Sequence, residues 1–202
     1  KENASTSPQI SVEYPQFPTL SAAFNSAIEK SVTDRLAQFR QESAENYKAR
    51  TTTAPIDQHI SMNDFNFIAK WQQAQINPHY VSFIIRFDSY TGGANENQEL
   101  ETYNYSVEKK AVIGLADLFP NSPDLLQQLS TISTRELTAH MKEAADTDVE
   151  IAPYKDGVAP TAENYQNFTF TENVLTIYFP KYSVGAGAFG EMHVDIPIKN
   201  IK

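Results

Sequence analysis

The strongest constraint on this chain is the order in which its hydrophobic period changes. A two-residue alternation appears first at Ile10, Val12 and Tyr14 and stops at Pro15, which predicts a short strand and a turn. From Pro18-Thr19 onward, Leu20, Phe24, Ile28, Val32, Leu36 and Phe39 recur every three or four positions, with Glu29, Lys30, Asp34, Arg35 and Arg40 on the other face. That spacing predicts an amphipathic helix. Thr51-Thr52-Thr53-Ala54-Pro55 is expected to end it, because β-branched residues and a following proline both disfavour helical backbone. Strand-like runs follow at Ile60 to Trp71, Tyr80 to Tyr90 and Leu100 to Val107; in the second, Val81, Phe83, Ile85 and Phe87 make one face wholly apolar. A second helical pattern and three more alternating runs complete the chain. Strand, helix, three strands, helix, three strands is not a βαβ succession. It predicts an α+β fold of mainly antiparallel sheets packed with two long amphipathic helices, as one compact unit or two lobes.

Between these runs the punctuation is specific. Thr91-Gly92-Gly93-Ala94-Asn95-Glu96-Asn97 joins glycines that permit positive φ to asparagines that tolerate it, and should reverse the chain. The short apolar stretch from Val112 to Pro120 reads as a strand end and a turn, and Ser122 and Pro123 suit the N-cap and first residue of the second helix, with Asp124 complementing its dipole. Leu125, Leu129, Ile132, Leu137 and Met141 give that helix its stripe, and Asp146 to Pro160, with Asp156-Gly157, reads as a loop. Phe168 and Phe170, a tight turn at Glu172-Asn173, and Leu175, Ile177 and Phe179 form a hairpin pattern; the glycine-rich loop Ser183 to Gly190 then leads to Met192, Val194 and Ile196. No period of 20 to 50 residues marks a repeat architecture. The expected organisation is a polar tether at 1–8, a strand-helix-three-strand domain at 9–110, and a helix-plus-three-strand domain at 111–202.

With 16 basic and 25 acidic residues in 202, the net charge is −9. A nucleic-acid binder needs a basic stripe, and an anionic membrane surface attracts basic segments; neither is expected as a partner. The excess is local, since residues 51–150 hold 14 acidic against 6 basic side chains. If a basic partner exists, its contact is expected there, although a solvated face explains such a run too. There is no cysteine, which excludes disulfides, thiolate metal sites and cysteine nucleophiles. No window of about 20 apolar residues is present, so the only expected membrane attachment is an N-terminal anchor or signal peptide preceding the polar opening Lys-Glu-Asn-Ala-Ser-Thr-Ser-Pro.

Side chains with chemistry are few. Glu191, His193 and Asp195 share a face if their run is a strand, and two carboxylates with an imidazole suit a divalent cation. An alternating strand with one buried face carries polar residues on the other in any case, and no metal or cofactor is expected. Gly185-Ala-Gly-Ala-Phe-Gly190 has a dinucleotide fingerprint's glycine spacing but precedes a strand, where that motif needs a helix. No catalytic residue is assigned. Ten tyrosines fall mostly in or beside predicted strands, as half-buried sheet residues with a wet hydroxyl. Tyr90 and Tyr182 lie nearest the glycine loops. Tyr90, Thr91, Gly92, Gly93 and Asn95 with Tyr182, Gly185 and Gly187 are therefore the candidate contacts for a sugar or protein ligand.

Four stretches carry a family resemblance. Phe-Ile-Ile-Arg-Phe-Asp-Ser-Tyr-Thr-Gly-Gly-Ala-Asn at 83–95 resembles the strand and Tyr-Thr-Gly-Gly-Ala-His turn of bacterial extracytoplasmic paired domains of unknown function. Tyr103-Asn-Tyr-Ser-Val107 and Gly114-Leu-Ala-Asp-Leu-Phe119 resemble the segments C-terminal to that turn, and Phe168 to Ile198 resembles the ending of the second domain of the pair. Such pairs occur in the ectodomain of a lysozyme-sensing anti-sigma factor and in the non-catalytic region of a membrane-attached peptidoglycan deacetylase. The resemblance spans about residues 9 to 198. It implies a cell-envelope location, often with a lipid or membrane anchor, and a non-catalytic binding or sensing role, with a basic protein such as lysozyme as one ligand. The alternative is a domain that binds or hydrolyses peptidoglycan or another glycan. Asn95 stands where the turn usually has histidine, and the deacetylase's catalytic module has no counterpart here.

Overall fold

The computed structural model describes residues 7–53, 61–145 and 152–202. A five-stranded sheet has the order β1 (Gln9–Val12), β2 (Asn66–Ile76), β3 (Tyr80–Tyr90), β4 (Asn97–Ser106), β5 (Ala111–Val112), and a three-stranded sheet the order β6 (Phe168–Phe170), β7 (Val174–Phe179), β8 (Met192–Pro197). Helices α1 (Ala22–Thr53), α2 (Leu115–Leu118) and α3 (Leu125–Ala145) complete the fold. The α+β class holds. The β4–β5 pair and all of the smaller sheet are antiparallel, whereas β1 lies parallel to β2.

The chain forms two compact units. Unit one comprises the chain up to Trp71 and Ile85–Glu99; unit two comprises Gln72–Ile84 and Leu100–Lys202. In unit one, Ser21 caps α1 by accepting the Phe24 N–H at 3.2 Å, and Asn25 clasps the Phe17 N–H and C=O at 2.7 and 2.9 Å. The helix buries a narrow stripe of Phe24, Ile28, Val32, Phe39 and Ser43. Its end differs from expectation, since Thr51, Thr52 and Thr53 are still helical. The hydroxyls of Thr51 and Thr52 bond back to the Tyr47 and Lys48 carbonyls at 2.8 and 2.7 Å, the way a β-branched alcohol is accommodated in a helix. Ala54 and Pro55 lie outside the described residues.

In unit two, α3 buries Leu125, Leu129, Leu137 and Met141 in a core with Leu175, Ile177, Val194 and Ile196. The helix starts later than the Ser122-Pro123 signal suggests. Those residues form a turn in which the Leu125 N–H bonds the Ser122 carbonyl, and the Gln128 N–H bonds the Asp124 carbonyl. Strand β2 is also displaced from its expected span, running on through Gln72 to Ile76; Ile60 is not among the described residues. It ends where Asn77 accepts the N–H groups of His79 and Tyr80 at 2.9 and 2.8 Å, an Asx turn that reverses the chain.

Within unit two, β6 pairs with β7 on one side only. On its other side, side chains replace a strand. The Phe168 N–H donates to Thr102 Oγ1 at 3.1 Å, Asn104 Nδ2 donates to the Phe168 carbonyl at 2.8 Å, and the Phe170 N–H donates to Ser82 Oγ at 3.0 Å. Ser82 in turn donates to Asn104 Oδ1 at 2.7 Å. Buried main-chain groups need partners, and this ladder supplies them from residues whose polar character breaks the apolar pattern.

Candidate functional site

The glycine turn after β3 belongs to unit one and is an anchored structure. Tyr90 is half-buried and stacks on Phe65 at 6.4 Å, and Phe65 meets the edge of Tyr47 at 6.3 Å. Asn46 on α1 donates to the Thr91 carbonyl at 2.9 Å. Gly92 takes φ +87°, and a Cβ there would stand 2.7 Å from both Arg50 Nη1 and Phe65 Cε1; conformation and space both demand glycine. Gly93 and Asn95 are exposed, and neither they nor the following asparagine adopt positive φ.

In unit two, Tyr182 is a non-glycine residue at φ +72° and 60% exposed. Its ring lies on Gly187, where a Cβ would come 2.1 Å from Tyr182 Cε1. Lys181 Nζ stands 5.4 Å from the ring centroid. Gly185 is buried, its missing Cβ leaving room for Met141 Cε and Phe189. The glycines chosen from sequence therefore serve close ring and backbone approach, and of the two tyrosines only Tyr182 offers an open face.

The three metal-ligand candidates do not act together. His193 and Asp195 project from β8, but Asp195 accepts the Thr176 hydroxyl at 2.6 Å and His193 lies 6.1 Å from Tyr178, ring to ring. Glu191 precedes the strand, and with His193 and His140 it lines a depression of about 460 Å³. Among the described residues no three His, Asp or Glu side chains are placed to hold a metal ion.

A larger feature lies in unit two, outside the residues chosen from sequence. A cleft of about 880 Å³ is walled by Val112, Leu115, Phe119, Leu126 and Phe168, with Asp124 and Gln127 also in its lining. Its lip is the turn of α2, where Asp117 accepts the Gly114 N–H at 3.1 Å and pairs with Lys109 at 2.9 Å. The Lys109 hydrogen bond, helped by the Gly114 N–H, holds the Asp117 carboxyl below the ordinary carboxylate value, and the same pair raises Lys109. Behind the cleft, burial pushes the Tyr165 hydroxyl up, and that hydroxyl donates to the Val158 carbonyl at 2.9 Å. Sequence held one signal for this site. The run from Val112 to Phe119 has five large apolar residues, of which only Ile113 is buried; Leu115, Leu118 and Phe119 pack half-buried against the core and Val112 is exposed, and such a partly exposed apolar run marks a binding surface.

Comparison with known proteins matches the two halves separately. Residues 1–98 match the family described as deacetylase PdaC, and residues 116–199 match a family described as a protein of unknown function, DUF3298. Two family models thus match successive segments of the chain, the deacetylase-related one first and DUF3298 second. It is 29% identical over 186 residues to the peptidoglycan-N-acetylmuramic acid deacetylase PdaC of Bacillus subtilis, covering 92% of this chain and 36% of that protein. The chain therefore spans little more than a third of that relative's length. A DUF3298-family crystal structure from Bacteroides fragilis, 18% identical, superposes with a TM-score of 0.52 over 86% of this chain and 66% of that one, a likeness of fold.

Proposed function

We propose that this chain is a peptidoglycan-binding module of the cell envelope that performs no chemistry itself, with the unit-two cleft as its ligand site. The observation that carries the reading is the relation, through both segments, to a protein that acts on peptidoglycan. The cleft supports it as a place. Its walls are mostly apolar, its lip carboxylate is held by Lys109, and its lining carries only a few polar groups to orient a ligand. Peptidoglycan lies outside the cytoplasmic membrane, so the module works extracytoplasmically. No helix among the described residues is long and apolar enough to cross a membrane. Tyr182, with its exposed ring backed by Gly187, is a second proposed contact.

Sedimentation with purified peptidoglycan tests this. The chain is expected to pellet saturably and to release neither acetate nor reducing ends. A chain that stays in the supernatant would remove the binding role, and product release would remove the non-catalytic one. Sensing of a basic protein such as lysozyme is a second reading, favoured by the 14 acidic against 6 basic side chains at 51–150. Titration with lysozyme at two salt concentrations decides it, because a contact steered by charge weakens in salt. No binding at micromolar lysozyme removes that reading and leaves the first.

A further inference from the structure

Resting on the binding role above, we infer that the unit-two cleft takes the peptide stem of peptidoglycan, as an extended strand beside Val112, and leaves its glycan chain outside. The first ground is the sheet edge. The Ile113 N–H donates to the Asn104 carbonyl at 2.9 Å, which makes Asn104 and Ile113 a hydrogen-bonded pair. Tyr105 and Val112 are the next pair in this antiparallel ladder, and such pairs alternate, so theirs is non-hydrogen-bonded. The N–H and C=O of Val112 consequently face away from β4, at the outer edge of the sheet. The side chain of Val112 is 67% exposed and lines the cleft. The edge stops at once, because the Gly114 N–H is taken by Asp117 and the Gly114 carbonyl accepts the Asp117 N–H. Among the described residues, what remains open is one donor and one acceptor on a single residue. An extended peptide satisfies both through one of its own residues, whose N–H and C=O point the same way; the acetamido group of a sugar carries its N–H and C=O on opposite sides of one trans amide and meets only one of the two.

The walls give the second ground. Sugars are held on flat aromatic faces, but two of the cleft's rings, Tyr165 and Phe168, are buried, and the Tyr165 hydroxyl is already bonded to Val158. The surface that remains has one half-buried ring, Phe119, beside the aliphatic Val112, Leu115 and Leu126, and suits methyl groups such as those of the alanines in a stem peptide. Charge is the third ground. Asp124 lines the cleft, is exposed and has no ion partner among the described residues. A stem peptide presents the side-chain amine of its diamino acid, which a free carboxylate attracts.

The test titrates the full chain with a sugar-free stem peptide carrying a free side-chain amine and, in parallel, with peptide-free glycan oligomers, by calorimetry or amide chemical shifts. The stem peptide is expected to saturate the site and the glycan not to. Val112→Pro keeps an apolar side chain of similar size on the wall while removing the outward N–H, a loss that an edge strand tolerates, and should weaken stem binding by about tenfold or more, as loss of an interface hydrogen bond can. N-methylation of the peptide's backbone amides should do the same without altering the protein. Asp124→Asn should weaken the free-amine peptide and leave an N-acetylated one unchanged. Glycan binding without stem binding overturns the inference while pelleting with whole peptidoglycan leaves the module's role standing. Failure of all three ligands removes both. Undiminished binding by Val112→Pro and by N-methylated peptide overturns the edge pairing. Concentration-dependent self-association abolished by Val112→Pro assigns the edge to a second copy and also overturns it.

Discussion

The two units solve the same problem, burial of a sheet face, with different materials. Unit one is ring against ring. Phe39 lies 5.4 Å from Phe67, Phe67 lies 6.4 Å from Phe87, and Arg35 spreads over Phe87 at 4.4 Å while bonding Glu99. Unit two packs rings too, Tyr165 meeting Phe179 at 6.0 Å among aliphatic side chains, but adds a polar ladder in which Ser82, Asn104 and Thr102 bond the open side of β6. Apolar packing is non-directional and tolerates adjustment, whereas a buried polar ladder works only when each member has its partner. The first unit should therefore lose stability in proportion to what is removed, and the second should fail sharply at single atoms.

Single substitutions break or sharpen that contrast, in falling order of effect. Phe39→Ala in unit one should cost about 3–5 kcal/mol in denaturant unfolding, as deleting a buried ring generally does. Asn104→Leu in unit two, equal in side-chain heavy atoms and branching, should cost about 2–4 kcal/mol because the Phe168 carbonyl and the Ser82 hydroxyl both lose a partner. A cost below about 0.5 kcal/mol would show that volume alone matters there. Gly92→Ala should cost about 1–3 kcal/mol, since its φ of +87° and its contacts with Arg50 and Phe65 both oppose a methyl group. Gly187→Ala, by contrast, meets only the exposed Tyr182 ring, which can swing away, and the change should appear as altered Tyr182 ring signals with little loss of stability. Smallest is Ser43→Ala, which removes a buried hydroxyl without a hydrogen-bond partner among the described residues and should be neutral or stabilising by up to about 1 kcal/mol.

The cleft lip adds a pH dependence. The Asp117 carboxyl is lowered by Lys109, so its contribution to holding the lip is present above the ordinary carboxylate value and is lost as pH falls through the lowered one. Lys109 is raised, so its contribution is present below the ordinary lysine value and lost as pH rises through the raised one. Amide shifts of Gly114 should report both transitions, and Asp117→Asn should abolish the acidic one.

Much of the fold is legible in the sequence, because alternation maps directly to burial. Val81, Phe83, Ile85 and Phe87 are all buried, and in β8 Met192, Val194 and Ile196 are buried while His193 and Asp195 are exposed. The continuation of β2 through Gln72-Gln73-Ala74-Gln75 is not legible, since those residues join the strand by backbone pairing and carry no apolar rhythm. Nor is the ladder, because Ser82, Thr102 and Asn104 interrupt their strands' apolar residues in the way that ordinary solvent-facing residues do. For the site, glycines drew attention to Tyr90 to Asn95 and Tyr182 to Gly187, yet Gly92 and Gly187 serve close packing. The cleft was hidden for the opposite reason. Its apolar residues from Val112 to Phe119 resemble core, and only the three-dimensional structure shows that Leu115, Leu118 and Phe119 pack against the core half-buried while Val112 is exposed.

The most direct measurement is peptidoglycan pelleting of the unsubstituted chain beside Val112→Arg, a change at a 67% exposed position that the fold should tolerate. Pelleting of the first and loss of pelleting by the second, with equal thermal stability, is the predicted result. Equal pelleting of both chains, or of neither, would contradict a peptidoglycan site in the cleft of unit two.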